Sequence, residues 1–181
     1  MKKLIKKKGI LFWVTGLSNS GKSTIAKKIT PTVNKTFGPS IFISGDDLRN
    51  FFNIKGYTRQ ERLKIGYNYS NFLKFITDQG INVVFAVIGL FDQVRNYNKK
   101  NIKNYIEIYI QTDIKNIIKF SKKKHYINNN KFIWGIDLKP EFPKKPDILI
   151  NNDFKKSSNE IAMIFLKNLK KIKKKKNQKK N

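Results

Sequence analysis

The chain has 181 residues, 39 Lys and Arg against 12 Asp and Glu, one His and no Cys, for a formal charge of +27. That length reads as one compact domain, and 39% hydrophobic with 13% aromatic residues supplies a core despite the charge. The lack of Cys excludes disulfides, thiolate metal sites and cysteine nucleophiles, and a lone His excludes zinc sites built on two imidazoles.

In chain order, residues 1–8 form a basic extension with five Lys and no acid. A strand is expected over Ile10–Thr15, then a glycine-rich loop and a helix over Lys22–Thr32. The apolar run Gly9–Leu17 follows basic residues as a signal peptide would, but it has no small-residue cleavage site and leads into that loop, so it reads as a buried strand. A strand over Ile41–Ser44 and a helix over Asp47–Phe52 follow. Within Arg59–Gln79 the residues Leu63, Tyr67, Phe72, Phe75 and Ile76 recur at helical intervals, with Gly80 placed to cap the helix. Phe12, Trp13, Phe72 and Phe75 are expected in the core.

The remaining elements are a strand Val83–Ile88, a helix Phe91–Lys100, a strand Tyr105–Gln111, a helix Asp113–Ser121, a strand Asp147–Ile150 and a helix Ser157–Lys171. Strands alternating with helices indicate an α/β fold, a three-layer sandwich around a mostly parallel five-stranded sheet. The domain is expected over residues 9–169, with a mobile lid near 121–133, where His125 reads as an exposed side chain, and a disordered Lys-rich tail over 170–181. Glu107, inside an apolar strand, must be exposed or paired. No run is long enough to span a bilayer, and a cytoplasmic location is expected.

Gly16-Leu17-Ser18-Asn19-Ser20-Gly21-Lys22-Ser23 satisfies the phosphate-loop pattern, between an expected strand and an expected helix. Backbone N–H groups of Gly16, Ser18, Asn19, Ser20, Gly21 and Thr24, with the helix N-terminus behind them, would cradle the phosphates of ATP. Lys22 would reach the β- and γ-phosphates and the Ser23 hydroxyl would coordinate Mg²⁺. No guanine-reading N-K-x-D follows a late strand, so a small-molecule kinase is favoured over a GTPase. Asp46, at the carboxyl end of the second strand, can orient an acceptor hydroxyl or hold Mg²⁺ through water; its other reading is a helix cap, the role expected of Asp47.

The loop Gly16–Thr24, the segment Gly45-Asp46-Asp47-Leu48-Arg49, the pair Glu61-Arg62 after Gly56-Tyr57-Thr58, the strand ending at Ile88, the run Tyr105–Ile110, and Gly135-Ile136-Asp137 with Pro143 and Pro146-Asp147 resemble, in order and spacing, the adenylylsulfate (APS) kinase family. The resemblance spans roughly residues 9–153 and implies transfer of the γ-phosphate of ATP to the 3′-hydroxyl of adenosine 5′-phosphosulfate. It implies Lys22 and Asp46 as catalytic residues and Arg49, Tyr57, Arg62, Ile88 and Trp134 as acceptor-binding ones, Tyr57 standing where the family has a stacking Phe. Trp134 reads equally as core or as a cover for the acceptor base.

Several positions depart from the family pattern. Ser44 replaces the first Asp of Asp-Gly-Asp, Ile65 replaces an Asn, Gly89 replaces the Ser of Phe-Ile-Ser-Pro, Phe120-Ser121 replaces the Arg-Asp of the lid, and Ile133-Trp134 stands where a second stacking Phe would be. The segment Phe91–Asn98 resembles a subgroup associated with surface-polysaccharide synthesis, some of whose members phosphorylate another 5′-modified nucleotide such as cytidine diphosphoramidate. APS is the first expectation for the acceptor and that nucleotide the alternative. A further alternative is a degenerate protein that binds nucleotide or nucleic acid without catalysis. Fourteen Lys lie in residues 1–8 and 167–181, so the body carries about half of the net charge, and 35 of the 39 basic residues are Lys, as AT-rich codon usage would produce. Binding of nucleic acid or an anionic membrane by these ends is a secondary expectation, as is a homodimer.

Overall fold

The computed structural model describes residues 7–120 and 133–178. The lid expected near 121–133, His125 included, therefore falls outside the described residues except for Ile133, as do residues 1–6 and 179–181.

Five strands, β1 (Leu11–Thr15), β2 (Ser40–Ser44), β3 (Asn82–Val87), β4 (Tyr105–Gln111) and β5 (Ile148–Asn151), form one sheet in the order β2-β3-β1-β4-β5. Every ladder is parallel, so the sheet is parallel throughout. The crossovers are α1 (Lys22–Phe37), α2 (Gly45–Phe51) with α3 (Arg59–Asp78), α4 (Asp92–Asn101) and α5 (Ile114–Phe120), and α6 (Ser158–Gln178) closes the fold. A sheet covered on both faces needs strands that are apolar on both sides, and all five residues of β1 are buried. One core cluster gathers Trp13, Leu73, Phe85 and Val94 under α3 and α4; the other gathers Phe12, Ile29, Ile108 and Phe165 under α1 and α6.

Several boundaries and faces differ from the sequence reading. Helix α1 continues past Pro31 to Phe37, with Val33 buried and Phe37 against Phe12 at 5.7 Å. Helix α6 continues through Lys170 to Gln178, where a disordered tail was expected from residue 170. Leu169 is buried and Ile172 packs on the same cluster, so apolar contacts carry the helix beyond the expected boundary. On α3 the buried stripe is Ile65, Tyr69, Leu73 and Thr77, spaced by four, rather than the expected one. Phe72 is half-buried, and Phe75, expected in the core, is 64% exposed because Leu73 and Thr77 take the inward face. Glu107 is paired rather than exposed, buried on β4 at 2.9 Å from Arg95 Nε and 2.6 Å from Lys99 Nζ. No helix among the described residues is long and apolar enough to cross a membrane.

Candidate active site

The phosphate-loop sequence joins β1 to α1 at the carboxyl edge of the sheet, where the rise of a strand into a helix N-terminus turns a row of amides outward. A Cβ on Gly16 would lie 2.5 Å from Ile110 O, so the loop passes too close to β4 for any side chain. Asn19 is left-handed at φ 57, which Asn tolerates better than most residues, and Gly21 follows at φ 86. The loop is fastened from β5: the Asn152 side-chain amide donates to Ser20 O at 2.9 Å from a buried position. Nothing in the sequence reading flagged Asn152; its only signal is its place one residue beyond a strand that ends beside the loop.

A cleft of about 630 Å³ opens over this loop. Ser18, Asn19, Gly21, Lys22, Ser23 and Thr24 line it on one side, Asp46, Arg49 and Arg62 on another, and Ile88 and Trp134 on the wall beyond. Most of the expected site residues therefore face one cavity. Gly16 and Ser20, both buried, lie behind that lining. Tyr57 also lies outside the lining, 57% exposed, with the Arg49 and Arg62 guanidiniums 5.1 and 5.6 Å from its ring centroid.

Lys22 is 8% exposed and its ammonium donates to Leu17 O at 2.6 Å. Burial pulls its pKa from 10.5 down to about 8, against the opposing pull of the Asp46 carboxylate. Asp46 exerts that pull from the first turn of α2, which follows β2, a strand separated from β1 by β3. At the start of α2, Ser44 Oγ accepts from Asp47 N at 3.1 Å and Asp47 Oδ2 accepts from Ser44 N at 2.8 Å. In this capping box Ser44 is the N-cap and Asp47 its reciprocal partner, which leaves Asp46 facing the cleft and gives Ser44 a structural use where the family has Asp.

Arg49 spends its guanidinium on Ile54 O (3.4 Å) and Gly56 O (3.1 Å), which shapes the turn before α3. Arg62 Nε donates to Tyr57 O at 2.7 Å, and its guanidinium also stands 6.0 Å from the Trp134 ring centroid. Burial, then the neighbouring Arg49 charge, holds the Arg62 pKa below its ordinary value. Two cations and a turn are thus gathered at one end of the cleft, where an anionic ligand group would relieve their repulsion. Trp134, 3% exposed with its ring 4.8 Å from that of Phe91, belongs to the core and also lines the cleft. Gly89 has φ 50, and a Cβ there would meet the Trp13 ring at 2.9 Å, so the departure from Ser suits this backbone. Tyr69, which the sequence reading did not single out, lines the cleft and donates to Gly45 O at 3.1 Å. Phe120 and Phe154, likewise not singled out as site residues, line it with ring centroids 5.5 Å apart.

A magnesium ion fits this donor set only in the manner of a nucleotide-bound ion. Ser23 and Asp46 line the cleft, and no cluster of three or more His, Cys, Asp or Glu suited to a metal exists among the described residues. Mg²⁺ keeps most of its waters and takes few protein ligands beside phosphate oxygens, so one hydroxyl and one nearby carboxylate suffice.

A parallel sheet with a phosphate loop after its central strand, facing a carboxylate and two guanidiniums across one cleft, defines a P-loop phosphotransferase. Residues 8–151 match the family described as adenylylsulphate kinase, and the chain belongs to that family. Among its relatives, the cytidine diphosphoramidate kinase of Campylobacter jejuni is 32% identical over 169 residues, covering 91% of this chain and 99% of that one. The adenylyl-sulfate kinase of Clostridium acetobutylicum is also 32% identical, over 154 residues, covering 82% of this chain and 77% of its own. A solved structure of the Mycobacterium tuberculosis APS kinase in complex with AMPPNP and APS superposes with a TM-score of 0.80 at 24% identity, covering 90% of this chain and 98% of that one, which shows the shared fold.

Proposed function

We propose that the protein transfers the γ-phosphoryl group of ATP to a hydroxyl of a 5′-modified nucleotide, and that cytidine diphosphoramidate is the acceptor. The observation that carries the choice of acceptor is the end-to-end likeness to the Campylobacter kinase, whose length is matched over 99% against 77% for the Clostridium acetobutylicum adenylyl-sulfate kinase. The departures at Ile65, Gly89 and Trp134 support it, because all three line the cleft, in the part this reading gives to the acceptor, while the phosphate loop keeps its pattern.

In this reading the ATP phosphates lie in the Gly16–Thr24 loop, and the Lys22 ammonium leaves Leu17 O to meet the β- and γ-oxygens. Asp46 orients the acceptor hydroxyl and receives its proton as the oxygen bonds to the γ-phosphorus and the bond to the ADP oxygen breaks. Arg49 and Arg62 hold the anionic 5′-substituent of the acceptor, and Tyr57 folds over it from outside the cleft. Bound Mg²⁺ would neutralise charge on the transferring phosphoryl, with Ser23 as the protein ligand and Asp46 reaching it through water.

The second reading keeps the machinery and takes adenosine 5′-phosphosulfate as acceptor, giving the 3′-phosphorylated product; it is favoured by the family match and by the 32% identity to an adenylyl-sulfate kinase. The test is ADP release from Mg·ATP with each nucleotide in turn, with the product mass recorded. Turnover at least ten times faster with cytidine diphosphoramidate supports the first reading, and the reverse preference supports the second. ATP binding without turnover on either nucleotide refutes both and leaves a binding protein, for which loss of single-stranded RNA affinity with added salt would implicate the Lys-rich ends.

A further inference from the structure

Between the end of β3 and the start of α4, the carbonyls of Ile88 and Gly89, which line the cleft, and of the buried Leu90 next to them are each held by a group from a different part of the chain. The Thr15 hydroxyl, buried on β1, donates to Ile88 O. Arg95 Nη1, on α4, donates to Gly89 O at 3.1 Å, and Glu141 N donates to Leu90 O at 3.0 Å. All peptides here are trans, so a held carbonyl also sets the direction of the amide that follows it, and the wall that includes Ile88 and Gly89 has a fixed face toward the cleft.

Arg95 is the unusual member, 2% exposed and outside the cleft lining. A guanidinium so placed is costly unless its charge is met. It is met by Glu107 on β4, itself 1% exposed, at 2.9 Å from Nε, and by Asp92 at the second terminal nitrogen. Glu107 in turn sits 2.6 Å from Lys99, one helical turn along from Arg95 on α4. The planar fork thus spends its three nitrogens on three partners, one of which is the main chain of the cleft wall.

We infer that Arg95, anchored by Glu107, is a positioning residue for the acceptor: it holds Gly89 O, and through it the Ile88–Leu90 wall, in the shape that the acceptor nucleotide meets. This rests on the assignment of that wall to the acceptor side. Neither residue touches the phosphate loop, so their loss acts on the acceptor and spares ATP.

Arg95→Lys tests it, because an ammonium keeps the charge for Glu107 but cannot reach three partners in a plane. Glu107→Gln, of nearly equal shape, removes the anchor instead and serves where the first variant folds poorly. Two readouts apply. Amide exchange at Glu141, which donates to Leu90 O, should quicken by about tenfold while Ile25, which donates to Gly21 O in the phosphate loop, keeps its rate. The KM for whichever of cytidine diphosphoramidate or adenosine 5′-phosphosulfate the unaltered protein phosphorylates should rise by about tenfold, with the KM for ATP within about twofold. Unchanged exchange at Glu141, an unchanged acceptor KM, or equal rises in both KM values would overturn the inference. If the unaltered protein phosphorylates neither nucleotide, the proposed function fails, and exchange at Glu141 alone upholds or overturns the hold on the wall.

Discussion

Replacing Lys22 with Met should make the protein more stable and inactive at once. Burial moves the Lys22 pKa from 10.5 to about 8, a displacement that corresponds to about 3 kcal/mol of cost for carrying the protonated ammonium into the fold. At 8% exposure there is little solvent screening to reduce that figure. Met fills a similar volume without charge but gives up the bond to Leu17 O, worth about 1 kcal/mol, and that carbonyl keeps the Ser20 amide at 3.3 Å. The net gain is about 2 kcal/mol, or about 4–8 °C in Tm for a chain of this size. The sign depends on pH. Below pH 8 both folded and unfolded chains hold the proton and the full cost is present. Between 8 and 10.5 the unfolded chain binds more protons, stability of the unaltered protein rises with pH, and the advantage of Met disappears by about 10.5. Thermal melts of both proteins without nucleotide at pH 7 and pH 10.5 would measure this, beside ADP release at pH 7, which should fall by at least about a hundredfold. A variant that melts at or below the unaltered protein at pH 7, or a gain that persists unchanged at pH 10.5, would refute the account of Lys22 as a charge held at a cost. Full activity in the variant would refute its role in phosphoryl transfer.

Other expectations follow from the same geometry. Asp46→Asn should lower kcat by about 10²–10⁴ with the melting temperature nearly unchanged, since the capping box of α2 is made by Ser44 and Asp47 without Asp46; steady-state kinetics with a melt alongside checks it. Arg62→Lys should weaken acceptor saturation by about 1–3 kcal/mol and leave the KM for ATP near its original value, whereas Arg49→Lys should also loosen the turn that its guanidinium holds at Ile54 and Gly56, visible as protease sensitivity there. Leu169→Ala should cost about 2–5 kcal/mol in denaturant unfolding, because Leu169 is 4% exposed in the cluster under α6. Glu141→Gln should cost about 1 kcal/mol at neutral pH. Partial burial alone would raise this carboxyl's pKa, but the Asp92 amide and Arg59 outweigh it and hold it below 4.5, so the stabilisation is present above that value and is lost as the pH falls through the depressed pKa. Melts of both proteins at a series of pH values from 7 downward should therefore differ at pH 7 and draw together once the pH has fallen below 4.5.

The sequence by itself determined the class of fold and one half of the site. Alternating apolar strands and helical segments imply a parallel sheet because only such strands are apolar on both faces, and the phosphate loop is legible because its chemistry sits in eight consecutive residues. By residue type either Asp46 or Asp47 can serve a helix start, and the capping role expected of Asp47 is met only in three dimensions, where it pairs with the N-cap Ser44. The inward face of α3 also waited on packing, because its apolar residues surround much of the helix and only contact with Phe85 and Val94 selects Tyr69 and Leu73 over Phe75. Of the four Arg, two were assigned to the acceptor from sequence. That Arg95 is buried against Glu107, twelve positions further along, and reaches back to Gly89 depends on α4 lying over β4, a long-range arrangement that no local pattern encodes.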